Sequence, residues 1–226
     1  MNASTRPHTS LVPFAIAALL LAGLPMALPA QSVTTGLARE FWKGLSTTDN
    51  SYPASAAFTN TPASSVSTPA DFDLPQNSAD GYGERLRAFV LPPVTGLYTF
   101  WVASDEWSDL FLSTSEWPEG KVRIANVSGA TLYHQWDAEP NQRSAPIPLE
   151  AGRRYFIEGV HKEGSGPDNF SVRWQLPDGT IEEPLQGKLG GVPRLIPFKT
   201  NSIASPAFAS IPTNNVVVPE GRPVSL

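Results

Sequence analysis

Residues 96–113 read GLYTFWVASDEWSDLFLS, and the alternation in this stretch decides the fold class. Tyr98, Phe100 and Val102 alternate with Thr99, Trp101 and Ala103, the period of two that sets successive side chains on opposite faces of a strand. Just upstream, across the turn PPVTG at 92–96, Leu86, Ala88 and Val90 alternate with Arg85, Arg87 and Phe89. The two segments therefore predict an antiparallel pair with one face buried. Further short strands are predicted at 110–112, 122–127 (VRIANV), 155–160 (YFIEGV) and 170–176 (FSVRWQL). Loops bearing Gly and Pro separate them, with no amphipathic helix between, which predicts an all-β antiparallel sandwich or barrel.

Outward from this centre, residues 34–43 (TTGLAREFWK) predict a first strand. Residues 46–75 are rich in Ser, Thr, Ala and Pro, with Phe58 and Phe72 as isolated apolar anchors, and suit a long surface segment or a linker. The domain is expected to span 31–191, closing beyond the turn Pro177-Asp178-Gly179, where Pro presets φ and Gly accepts a positive one. A linker is expected at 192–204, and the tail 205–226 reads as the opening strands of an incomplete further β-domain. At the other terminus, Arg6 and His8 precede the apolar run LVPFAIAALLLA at 11–22. Residues 1–30 are expected to be a secretory signal peptide cleaved after Ala30, too short and too Pro-broken for a membrane span.

The 226 residues include 23 Pro, 17 Gly and no Cys, and carry a net charge of −5. Without Cys there are no disulfides, thiol nucleophiles or Cys-held metal centres. The acidic balance argues against nucleic acid as a partner. Chemistry is left to oxygen ligands, aromatics and backbone.

Two loops concentrate the polar groups, SDEWSD at 104–109 and HKEGSGPDN at 161–169. Carboxylates among Gly, Ser and Asn are what Ca²⁺ uses, six to eight oxygens in a pliable loop. The same residues also suit solvated turns whose acids cap backbone amides. Among the six Trp, Trp101 and Trp174 lie within strand patterns and are expected to pack, whereas Trp107 and Trp117 lie in loops where a ring could stack on a sugar. His134 and His161 have no neighbouring nucleophile arrangement and are expected to serve as hydrogen-bonding residues. Asn126 and Asn169 open N-x-S sequons, a pattern common by chance.

The run 96–113, with Gly96, Tyr98, Phe100, Ser104, Asp105 and Glu106 in G-x-Y-x-F-x-x-x-S-D-[DE], resembles the PA-fourteen domain family. The later AGRRYFIEGVHKEG at 151–164 matches A-G-x-x-Y-x-I-E-x-x-H-K-E-G, and the resemblance extends over 34–191. It implies a protective-antigen-like, lectin-like β-sandwich used for carbohydrate recognition, often as an accessory module. In lectin members two adjacent aspartates joined by a cis peptide hold Ca²⁺, and a second loop completes the site. The pair matches Asp105 and Glu106, Glu106 departing by one extra methylene, and the second loop matches 163–169. The implied Ca²⁺ ligands are thus Asp105, Glu106, Glu163 and Asp168, with Trp107, Trp117, Asp109 and Asn169 against the glycan. The tail at 205–226 resembles the start of an immunoglobulin-like domain. The expectation is an exported, non-enzymatic, calcium-assisted glycan-binding module of a bacterial surface or secreted protein. It would have no membrane span in the mature chain, and its protein partners would come through the downstream domain. The alternatives are a structural spacer or protein-contact module of an adhesin-like protein, or the accessory domain of a hydrolase.

Overall fold

The computed structural model describes Met1, residues 33–48 and residues 61–199. The leader, Phe58 and the tail at 205–226 lie outside the described residues.

Two antiparallel sheets face each other. The larger joins β2 (Ser65–Ser67), β1 (Ala38–Lys43), β3 (Tyr82–Val90), β8 (Tyr155–Glu163), β5 (Trp107–Ser113) and β6 (Lys121–Val127) in that order. The smaller joins β10 (Ile181–Glu182), β9 (Asn169–Gln175), β4 (Gly96–Asp105) and β7 (Ile147–Leu149). No α-helix occurs among the described residues, and none is long and apolar enough to cross a membrane.

The period-two pattern of the sequence becomes the core. Leu86, Ala88 and Val90 on β3 face Tyr98, Phe100 and Val102 on β4, with Leu110, Leu112, Ile157, Val172 and Trp174 completing the filling. Phe72 and Leu74, from the segment expected to wander over the surface, are also buried there. Trp101 packs on the outer face of the smaller sheet with Ala103 and Trp136. The first strand starts at Ala38, four residues later than the sequence pattern suggests.

One boundary differs from the sequence reading. Residues 192–199, expected as linker, belong to the body: β12 (Val192–Pro193) pairs with β11 (Lys188–Leu189), and β13 (Leu195–Pro197) pairs with the end of β3. Leu195 fills the main core and Phe198 packs on Phe89 and Phe156. Prolines suggested a linker, but Pro at an edge forfeits only an N–H that has no ladder partner, so an edge strand tolerates it.

Both crossings that shape the site are short. β4 passes from the smaller sheet to β5 of the larger through the single residue Glu106. β8 passes from the larger sheet to β9 of the smaller through residues 164–168. Asp105 pairs with Asn169, and Trp107 pairs with Lys162, so the two crossings lie side by side at one end of the sandwich.

Candidate functional site

The Asp105–Glu106 peptide is cis. Ser104 holds this crossing from below: its hydroxyl donates to Glu106 O at 2.7 Å and lies 2.7 Å from Ser108 Oγ. His161 holds it from the side. Its Nε2 stands 2.9 Å from Asp105 O and its Nδ1 stands 2.9 Å from Glu84 Oε1, so both ring nitrogens meet oxygen acceptors. Arg39 in turn donates to Glu84 at 2.7 Å. His161 is fully buried, in the hydrogen-bonding role expected for it.

The second crossing is tied to the first and to the segment before β3. Gly164 N–H donates to Glu106 Oε2 at 2.9 Å. A Cβ at Gly164 would lie 2.5 Å from that oxygen and 2.9 Å from Thr47 O, which is why glycine stands there. Ser78 and Ala79 N–H both donate to Asp168 Oδ2, at 2.6 and 3.1 Å. Asn169 Nδ2 donates to Thr131 O at 2.9 Å, bringing in a third loop whose Ala130 bridges Asp105.

These bonds leave a set of acceptors facing no donor. Both Glu163 carboxylate oxygens, Asp168 Oδ1 and Asn169 Oδ1 are buried without a hydrogen-bond partner. Each buried, unsatisfied acceptor costs about 1–3 kcal/mol, and more where it is charged. The electrostatics agree. Burial, then the charges of Glu106, Asp105 and Asp168, push Glu163 up to about 8. Burial, then Glu106, also raises Asp105, against the pull of His161. The Tyr82 hydroxyl, on the strand paired with Glu163, is raised by burial and by Glu84, Asp168 and Glu163.

A hard cation would relieve this crowding, since it takes six to eight oxygens, including amide and backbone carbonyl oxygens and water. The donor set fits that chemistry: Asp105, Glu163, Asp168 and Asn169 supply oxygen only, in loops rather than in a rigid cage. Glu106, whose longer side chain reaches Gly164 N–H, commits one oxygen to holding the two crossings together. No three acidic or imidazole side chains among the described residues are gathered closely enough to hold a metal by themselves. Asn169, carbonyl oxygens and solvent would have to complete the shell.

The aromatic expectations divide differently. Trp107 is half-buried against Trp42, Val160 and Phe111 on the outer face of the larger sheet. Trp117 is exposed but follows the far end of β5, six residue steps or about 20 Å along the strand from the crossings. Asp109 is buried beside Arg123, at 3.2 Å, on the same outer face as Trp107, and burial raises it against that guanidinium. The structure therefore gathers Asp105, Glu106, Glu163, Asp168 and Asn169 but not Trp117 or Asp109. An adjacent side chain that the sequence did not single out is Tyr133. It is 39% exposed, against 37% for Trp117, on the loop that Thr131 fastens to Asn169.

No family model matches the chain. Over short stretches it is similar to curated proteins. It is 36% identical over 84 residues to fibrocystin of Canis lupus familiaris, covering 34% of this chain and 2% of that protein. It is 35% identical over 99 residues to N-acetyl-beta-glucosaminyl-glycoprotein 4-beta-N-acetylgalactosaminyltransferase 1 of Mus musculus, covering 42% of this chain and 10% of that protein. The chain thus spans at most a tenth of the length of these two relatives.

Solved structures match more widely. The PA14 domain of the antifreeze protein MpAFP superposes with a TM-score of 0.55 at 14% identity, covering 77% of this chain and 97% of that one. The Epithelial Adhesin 9 A domain of Candida glabrata, in complex with Galb1-4GlcNAc, gives 0.54 at 14% identity, covering 72% and 92%. The PA14 sugar-binding domain from an RTX adhesin gives 0.50 at 14% identity, covering 66% and 93%. At such identities the likeness is one of fold.

Proposed function

We propose that this chain, a PA14 domain by its fold, is an exported glycan-binding module, not an enzyme, and that its binding centre is a Ca²⁺ held at the two crossings between its sheets. Asp105, Glu163 and Asp168 would supply carboxylate oxygens and Asn169 an amide oxygen, with Glu106 fastening the loops. The observation that carries this reading is the set of buried oxygens of Glu163, Asp168 and Asn169 that face no donor. When bound, the ion supplies open coordination positions for vicinal sugar hydroxyls. Glycan recognition is supported by two fold neighbours, one described as sugar-binding and one held in complex with Galb1-4GlcNAc. Export is supported by the apolar run at 11–22 behind Arg6 and His8.

The test is the thermal midpoint of the protein in excess EDTA and across a calcium series. A ligand that binds only the folded state stabilises by RT ln(1 + [L]/Kd), about 2.7 kcal/mol at a hundredfold excess over Kd. A saturable upward shift is expected, with glycan binding that EDTA reverses. An unchanged midpoint would overturn the cation and leave the fold as a spacer or protein-contact module.

A further inference from the structure

We infer that Tyr133 is the stacking wall of the glycan site, selecting sugars that present an apolar face of C–H bonds, an inference that rests on the glycan-binding reading above. Among the described residues only Trp117 and Tyr133 are exposed aromatic side chains, and Trp117 lies at the opposite end of the sandwich. Tyr133 follows Thr131, whose carbonyl accepts from Asn169, by two residues. Its hydroxyl donates to Asp73 Oδ2 at 2.8 Å, and Asp73 bridges Ser171, two residues beyond Asn169 on the same face of β9. Asp73, the phenol's partner, thus meets β9 two residues, or about 7 Å along the strand, from Asn169 at the proposed cation site.

The ring is also braced on one side by its neighbours and at its hydroxyl by Asp73. Its face is backed by His134, with ring centroids 3.8 Å apart and planes 20° apart. His134 has a positive φ of 56°, turning the loop so that the two rings overlap, and its Nε2 lies 3.1 Å from Asp73 Oδ1. Behind it the stack continues through Trp136 at 5.4 Å to the Arg173 guanidinium, which is 4.8 Å from the Trp136 ring and 4.8 Å from Trp101 on the sheet. One face of Tyr133 is therefore packed on His134, and the side chain as a whole remains 39% exposed. Aromatic rings are electron-rich on their faces, so a pyranose laying its polarised C–H bonds against one gains contact while its hydroxyls turn toward the oxygens and the ion. Leu132, 72% exposed, extends the apolar rim.

The experiment compares the parent, Tyr133→Ala and Tyr133→Phe in calcium on an array of immobilised oligosaccharides that includes Galb1-4GlcNAc. The calcium-induced thermal shift of each variant is measured in parallel. Tyr133→Ala is expected to keep that shift and to lose about tenfold or more in glycan affinity, while Tyr133→Phe, which keeps the face and loses only the bond to Asp73, stays near the parent. Unchanged binding by Tyr133→Ala overturns the wall alone, as does equal loss in Tyr133→Phe. A parent that binds no glycan on the array overturns the glycan reading and the wall with it.

Discussion

Glu163 is the residue at which a cation site and an ordinary turn predict opposite results. Its carboxylate is fully buried, meets no donor and is surrounded by Glu106, Asp105 and Asp168. Glu163→Gln keeps the shape and removes the charge. In EDTA at pH 9, where the parent group is ionised, the variant is expected to melt higher than the parent, because a neutral amide is cheaper to bury than an unpaired charge. The same variant is expected to have lost the calcium shift. Scanning calorimetry in both conditions checks this, and a variant that melts lower in EDTA yet keeps the shift would sink it. The carboxylates were legible in the sequence because both loops are acidic and glycine-bearing. The placement of the aromatics is not legible there, because a loop position alone does not say which face Trp107 or Trp117 joins. Which way a side chain at a strand end faces depends on its pairing, and here Trp107 turns with Asp109 and Phe111 onto the outer face, where Trp107 and Phe111 pack on Trp42 and Val160.

At the scale of elements, β8 explains why the centre of the larger sheet has no alternating sequence. All nine of its residues are buried, because the strand is covered on both faces. Charges on its outer face are held, Glu158 by Lys121 and Lys162 by Ser46 O at 2.7 Å, while His161, on the inner face with Gly159, stacks on Phe170 and meets Glu84. On its inner face Gly159 leaves room for two rings: a Cβ there would lie 2.7 Å from both Phe72 and Phe170. The missing side chain is what lets Phe72, from outside any strand, enter the core. Gly159→Ala is expected to destabilise the fold by about 1–3 kcal/mol, the range for overpacking a filled interior, read from the urea midpoint at constant slope. A change below about 0.5 kcal/mol, the level of a neutral surface substitution, would mean that the rings shift freely.

For the molecule as a whole, the carboxylate cluster ties stability to pH. Glu163 is raised from an ordinary 4.5 to about 8, so the folded state holds a proton that the unfolded chain releases. That contribution is fully present below about 4.5 and is lost as pH rises through about 8, so the melting temperature in EDTA is expected to fall across this window. At the proposed site Ca²⁺ would displace the same proton, so its stabilising shift is expected to grow over the same range. A pH series of melts with and without calcium checks both, and a flat EDTA profile would contradict the crowding. By itself the sequence determined the fold class, since the alternation around 86–103 is a local property of each strand. It also marked the two acidic loops, since clustered carboxylates are visible without knowing their neighbours. Tertiary structure alone decided that the loops stand side by side, that Pro193 and Pro197 close the body instead of leaving it, and that the loop bearing Tyr133 is fastened to Asn169 while Trp117 lies at the far end. Those facts follow from pairing between segments distant in the chain, and register between distant strands is fixed by the packing of the whole sandwich, not by any one stretch of residues.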